Sequence, residues 1–466
     1  MIETTPMKLA LAPTPDDAPS EPAPAAPAKS SAALWWLSLF ILAVGLAVRI
    51  LPSAGFTGTG FDEVLYRRYV ILLDGGTQVV KVATQDMRAS TPYEIKLEGR
   101  GLELYPDLVD FFRMSQKSPD AMCELPPTRF FYIYAAWLWK RAEFGDAPPV
   151  PPKSPDFVTR DPALLSLHRV ACLFSCLGLI VGGIATWRML GLKALPGTLA
   201  LLAFSPLMIH LGQHALIDGV FTFWAMLSLW LLWENLQRPN QRGLLLAFAA
   251  ALAIMVMTKE NSFFVYLALV GLVAANCWAK FGHVSPKLLV AMLLGPAFGV
   301  AVLVTLSGGV TPFLEIYQLL VGKAQNLTYA IKTGDGPWYR YLVDLLLISP
   351  MVLILAIGGV FTQVRGNRAF VYLVAFVGFS YLIMCNVRYG MNLRYASIWD
   401  LPLRALAAAQ VGAMTTRFGA RQALVASVAI AALCVYDLRQ YQIYFVQTGL
   451  YELVTGGLMH AVKMLK

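Results

Sequence analysis

An uninterrupted run of about 18 apolar residues can cross a bilayer as a helix, and this chain repeats such runs along most of its length. We read about eleven of them, near residues 33–52, 164–187, 195–211, 216–236, 243–258, 261–279, 288–307, 341–362, 369–386, 398–415 and 422–438. Backbone placed in hydrocarbon must satisfy its own N–H and C=O groups, so runs of this kind fold as helices. The expected class is an all-α polytopic membrane protein. Composition agrees, since 57% of the 466 residues are hydrophobic and only 14% are charged, against roughly a quarter charged in soluble domains.

A net charge of +9 invites a nucleic-acid reading, but the basic residues sit where a membrane orientation signal would put them. Arg188 with Lys193, Arg238 with Arg242, Lys280 with Lys287, Arg365 with Arg368, and Arg417 with Arg421 occupy alternate short loops. Lys and Arg concentrate in cytoplasmic loops, which places the N-terminus in the cytoplasm and makes nucleic acid no partner here. Residues 1–32, rich in Ala, Pro and Ser, are expected to be a disordered cytoplasmic tail. That tail has no basic start before the first apolar run, so the run is read as a retained span rather than a cleaved signal. Residues 33–438 then make up the transmembrane domain. The six cysteines lie mostly inside apolar runs and form no disulfide framework.

In this topology three longer segments face outward: a first loop at 53–163, a second at 308–340, and a C-terminal segment at 439–466. Long loops carry function or cover it. The first contains amphipathic stretches, Glu63–Leu73 and Arg129–Trp139, suited to lying in the membrane interface. It opens on Phe61-Asp62-Glu63-Val64-Leu65-Tyr66. Two adjacent carboxylates at a membrane surface can act as a base or a metal ligand; two acids in a first helical turn also simply favour the helix dipole. Both readings fit the pair alone. Other ionisable groups gather at the same face: Arg169 with His168, Asp218, the turn Lys259-Glu260-Asn261, and Arg388 and Arg394. Each by itself fits a snorkelling or turn residue, a reading harder to hold for all of them together.

With these residues in place, the chain resembles the GT-C superfamily of membrane glycosyltransferases, and within it the branch of the protein mannosyltransferases and the lipid A aminoarabinose transferase. Its landmarks run in order: Phe61-Asp62-Glu63 with Tyr66, the stretch Leu125-Pro126-Pro127-Thr128-Arg129-Phe130, and Leu167-His168-Arg169. Ser205-Pro206 through Ala215-Leu216-Ile217-Asp218, Thr258-Lys259-Glu260-Asn261, Gly336-Pro337-Trp338-Tyr339 and Arg394-Tyr395 follow. The segment from about Asp74 to Cys123 and the Leu at 125 depart from the pattern.

The resemblance implies transfer of a sugar from a polyprenyl-phosphate donor to an acceptor, a glycan, lipid or protein, on the periplasmic or extracellular face. It implies Asp62 as the base, with Glu63 positioning the acceptor or ligating a metal. Lys259, Arg388 and Arg394 would stabilise the leaving phosphate, with Asp218, Glu260, Arg169 and Tyr66 around the substrates. Direct attack would invert the anomeric carbon. The resemblance leaves room for a divalent metal but requires no cofactor, because Lys and Arg can neutralise the same charge. The competing reading is a transporter or flippase of a lipid-linked saccharide, which calls for midplane charges and broken helices.

Overall fold

The computed structural model describes residues 29–51, 61–75, 77–82, 93–98, 126–326, 334, 336–387 and 391–449. Its helices are α1 (Lys29–Ile50), α2 (Phe61–Leu73), α3 (Phe130–Phe144), α4 (Pro162–Leu190), α5 (Leu195–Ala203), α6 (Pro206–Gln213), α7 (Ile217–Gln237) and α8 (Arg242–Thr258). They continue as α9 (Ser262–Ala279), α10 (Pro286–Leu306), α11 (Val310–Asn326), α12 (Arg340–Ile348), α13 (Pro350–Gln363), α14 (Arg368–Met384), α15 (Asp400–Thr415) and α16 (Gln422–Tyr441). Helix is present in each of the eleven expected stretches. Among the described residues, six segments are long and apolar enough to cross a membrane, or seven if one bent pair counts as a span, and four apolar helices are shorter.

Several details differ from expectation. A two-stranded antiparallel ribbon, β1 (Thr77–Val82) and β2 (Tyr93–Glu98), lies in the first loop, with Thr77 opposite Glu98. Most of the expected tail falls outside the described residues, and its last part, from Lys29, is already helical. The span expected at 341–362 is two helices, divided at Ser349-Pro350, where proline cannot supply the N–H that would continue α12. Helix α2 does not lie half-exposed in an interface. Leu65, Tyr66, Tyr69, Val70, Ile71, Leu72 and Leu73 are all buried, packed with α3 and α4 in a second core beside the main bundle. Arg67 ties α2 down, reaching Asp161 Oδ2 at 2.7 Å while Asp161 caps α4 through Leu164 N at 2.8 Å.

Helices in lipid gain little from excluding apolar surface, so close backbone packing has to hold them. Gly295 and Gly299, one turn apart on α10, rest on α8: a Cβ on either would stand 2.6 Å from the carbonyl oxygen of Ala249 or Ala253. Gly412 on α15 has open space at its Cβ position. Gly299→Ala should therefore lower stability by about 2 kcal/mol through overpacking, whereas Gly412→Ala should hold or raise it through helix propensity. Thermal midpoints in detergent compare the two.

Helices α5 and α6 form the bent pair, meeting at 52°. A break frees carbonyls that hydrocarbon cannot satisfy, and Arg49 at the end of α1 takes them. Its guanidinium donates to Leu202 O and Ala203 O, both at 2.9 Å, and to Gly45 O at 3.0 Å. Ser205 caps α6, accepting from Met208 N, and donates to Asp400 Oδ1 at 3.0 Å. Arg404, one turn along α15, binds Asp400 Oδ1 and Asp437 Oδ2, both at 2.7 Å. A buried group of charges thus sits inside the bundle, which was not expected from the sequence.

Candidate functional site

Asp62 and Glu63 occupy the first turn of α2, where carboxylates favour the helix dipole. Successive helical residues diverge by about 100° around the axis, so the two acids face different surroundings. Glu63 turns inward and is 3% exposed. Its Oε1 accepts from Ala215 N at 2.8 Å and from His214 Nδ1 at 2.9 Å. Burial, reinforced by His168 and Arg394, pulls the His214 pKa down to about 3, so the ring is neutral and serves as a donor. Glu63 therefore grips the turn that leads into α7, the helix bearing Asp218.

Asp62 faces the other way. Its side chain is 19% exposed, against 1% for Asp218. Asp62 Oδ2 accepts from an Arg394 terminal nitrogen at 2.9 Å, and the same nitrogen stands 3.5 Å from Asp218 Oδ2. The Lys259 ammonium binds the remaining oxygen of Asp218 and lies 4.2 Å from the centre of the Tyr395 ring. Burial lowers the Lys259 pKa, and Arg129 and Arg394 push the same way against the pull of Asp218. Arg394 is itself fixed by its backbone, with its N–H donating to Asn392 Oδ1 at 2.9 Å and its carbonyl accepting from Ser397 Oγ at 2.6 Å. The result is a chain of alternating charge, Asp62–Arg394–Asp218–Lys259, drawn from four segments far apart in sequence.

A clasp stands beside it. Arg129, at the start of α3, holds both oxygens of Glu260 and donates to Tyr66 Oη at 2.5 Å. Tyr66 is one turn from Asp62, and Glu260 adjoins Lys259, so one guanidinium joins the helix of the acids to the turn of the cation. Burial pushes the Tyr66 phenol well above its usual range, leaving it a neutral hydroxyl. Burial, the largest influence, would raise the Glu260 carboxyl, but Arg129 together with Lys259 and a backbone hydrogen bond holds the group below its usual range. A depressed folded pKa gives stability that is complete above the unfolded value of ~4.3 and lost as pH falls through the lower folded value. On moving from about pH 5 to pH 3, the thermal midpoint of the wild type should fall further than that of Glu260→Gln.

The structure thus brings together seven of the expected residues: Asp62, Glu63, Tyr66, Asp218, Lys259, Glu260 and Arg394. Arg169 stays apart, half-exposed and 3.9 Å from Glu143. Arg388 lies outside the described residues. Sequence reasoning missed Arg129 and His214 as site residues. Both stood inside landmark stretches, Arg129 after Pro126-Pro127 and His214 at the head of the Asp218 element, and a lone charged or titratable group before an apolar helix was the available signal. Among the described residues, no group of three or more His, Cys, Asp or Glu is arranged to hold a metal ion. Glu63, the residue that would ligate one, has Oε1 engaged by His214 and Ala215.

The helical bundle is similar in fold to solved membrane-protein structures. It is similar to the oligosaccharyltransferase of Archaeoglobus fulgidus in its apo form, with a TM-score of 0.53 and 11% identity over 93% of this chain and 60% of that one. It is also similar to AglB from the same organism in complex with an inhibitory peptide and a dolichol-phosphate (0.51, 11%, 89% and 56%). This chain therefore spans less than two thirds of those proteins' length. ArnT from Cupriavidus metallidurans in the apo state aligns with a TM-score of 0.49 and 16% identity over 90% of this chain and 68% of that one. Within this fold class, residues 169–319 match the family of dolichyl-phosphate-mannose-protein mannosyltransferases. None of the curated proteins matches the chain by sequence.

Proposed function

We propose that this chain is a membrane glycosyltransferase that moves a sugar from a polyprenyl-phosphate donor to an acceptor hydroxyl. The observation that carries the reading is the chain Asp62–Arg394–Asp218–Lys259, which places an accessible carboxylate beside two buried cations at one end of the helical bundle. The family match over residues 169–319 and the dolichol-phosphate bound to AglB are consistent with a lipid-phosphate donor. A headgroup at the membrane surface meets such a site while its tail stays in the bilayer. We place the site on the periplasmic or extracellular face, with the N-terminus cytoplasmic, from the distribution of Lys and Arg.

Asp62 takes the proton of the acceptor hydroxyl, and the oxygen forms a new bond to the anomeric carbon. The bond from that carbon to the phosphate oxygen breaks, and its electron pair leaves with the polyprenyl phosphate. Attack opposite the leaving group inverts the anomeric centre. Arg394 and Lys259 stabilise the charge that gathers on the departing phosphate, as preorganised cations that need no reorganisation during the step. Arg129 fixes the Lys259 turn, and Glu63 with His214 fixes the spacing between Asp62 and the helix of Asp218.

The bent pair α5–α6 and the buried group around Arg404 favour the transporter reading, which calls for such features. Against it, the two cavities beside Asp400 are only about 20 Å³ each, room for one water and no sugar. The test is purified protein in nanodiscs supplied with polyprenyl-phosphate-linked hexoses and pentoses and with glycan, lipid and peptide acceptors. Release of polyprenyl phosphate together with a glycosylated acceptor is expected. Movement of intact donor between the leaflets of a proteoliposome, with no bond broken, would establish the transporter instead.

A further inference from the structure

The catalytic carboxylate and the donor phosphate need the same guanidinium. In the structure Arg394 is held by Asp62 at 2.9 Å and lies 3.5 Å from Asp218, while Lys259 binds the other oxygen of Asp218. Arg129, the third cation, is taken up by Glu260 on both oxygens. The described cluster thus sets the cations Arg394, Lys259 and Arg129 against the carboxyl groups of Asp62, Glu63, Asp218 and Glu260. His214 adds no charge, and a lipid phosphate arriving here meets cations that already have partners.

The contacts are not equally easy to give up. Asp218 is 1% exposed and gripped by Lys259, and Glu260 is held in two places. Asp62 has a single ion pair and is 19% exposed, so it is the partner that solvent can reach. While Arg394 holds Asp62 Oδ2, that oxygen is not open to an acceptor hydroxyl. Resting on the transferase reading above, we propose that Arg394 couples the two substrates. Donor phosphate draws its guanidinium away from Asp62, and only then is Asp62 free to take the acceptor proton. The substrates then bind in order, donor before acceptor, and a site without donor is protected against activating water or acceptor to no purpose.

The proposal makes an uncommon prediction about binding. If Asp62 competes with phosphate for Arg394, part of the protein is held in a form that cannot bind donor, and the apparent affinity is reduced by that fraction. Asp62→Asn abolishes the competition. It should bind undecaprenyl phosphate, presented in phosphatidylcholine nanodiscs and read by native mass spectrometry, roughly tenfold more tightly than the wild type, the equivalent of one charge-assisted hydrogen bond. Glu63→Gln is the control. It removes a charge from the neighbouring residue, keeps an oxygen for His214 and Ala215, and makes no contact with Arg394. Its affinity should stay within about twofold of wild type.

Tightening confined to Asp62→Asn is the expected result. Equal tightening in both variants would reduce the effect to a general field and overturn the competition. So would wild-type affinity in Asp62→Asn. Failure of the wild type and both variants alike to bind undecaprenyl phosphate would overturn the transferase reading itself, and is distinct from binding that does not change on substitution. Order is checked separately: once an acceptor is identified, its binding to wild type should strengthen when undecaprenyl phosphate is present. Acceptor affinity independent of that lipid would also defeat the proposal.

Discussion

Asp62→Asn lowers transfer by roughly a thousandfold, the usual worth of a positioned general base, while the protein keeps its fold and binds donor phosphate no less tightly. The expectation follows from where the side chain sits. Asp62 occupies the edge of the cluster, partly exposed and held by one ion pair, so an isosteric amide leaves no buried cation alone. Arg394 retains Asp218 at 3.5 Å and its backbone anchors. Asp218→Asn should behave differently. It removes the charge that Lys259 grips in a site 1% exposed, and the uncompensated ammonium should cost stability as well as turnover. The measurement is turnover beside a thermal midpoint for each variant. An Asp62→Asn protein that transfers sugar at the wild-type rate would remove Asp62 from the base role. One that unfolds as readily as Asp218→Asn would show a structural part instead.

How far the site could be read from the chain follows the physics of each residue. The spans were legible because hydrocarbon allows few solutions, and a long apolar run states its own conformation. Asp62, Asp218, Lys259 and Arg394 were legible because an ionisable group at a span end is costly unless it has a partner. What the chain could not state was who partners whom. The sequence placed Lys259 at a span end, but not its ammonium against Asp218. Glu63 reads as an equal of Asp62 in sequence, yet a turn of about 100° sends it into the core against His214. The ribbon β1–β2 escaped because each strand is only six residues long, inside the stretch from about Asp74 to Cys123 that departs from the family pattern. The break between α5 and α6 had a visible signal in Ser205-Pro206, a capping residue before proline. Its satisfaction by Arg49, from a distant helix, had none.

That break rests on charges that face no substrate in the reading above, and they carry the second large effect. Arg404→Met should destabilise the protein by about 3–5 kcal/mol, the range for breaking one partner out of a buried ion pair. Arg404 is 2% exposed and binds Asp400, Asp437 and, at 3.4 Å, Ser349 Oγ. Without it Asp437, 1% exposed, loses its ion pair, and Asp400 loses the partner that steadies its bond to Ser205 at the head of α6. The cost belongs to charge rather than to packing, since Met fills much of the arginine's stem. The triple change Arg404→Met, Asp400→Asn and Asp437→Leu tests this, because replacing a whole buried ionic group by matched neutral residues is often neutral. Asn at 400 still accepts from Ser205, and Leu at 437 adds apolar contact within α16. The folded fraction and thermal midpoint in detergent should fall for the single variant and recover most of the loss in the triple. A triple variant as unstable as the single one would mean that Arg404 acts through its shape, and that the bent pair is held by Arg49 alone.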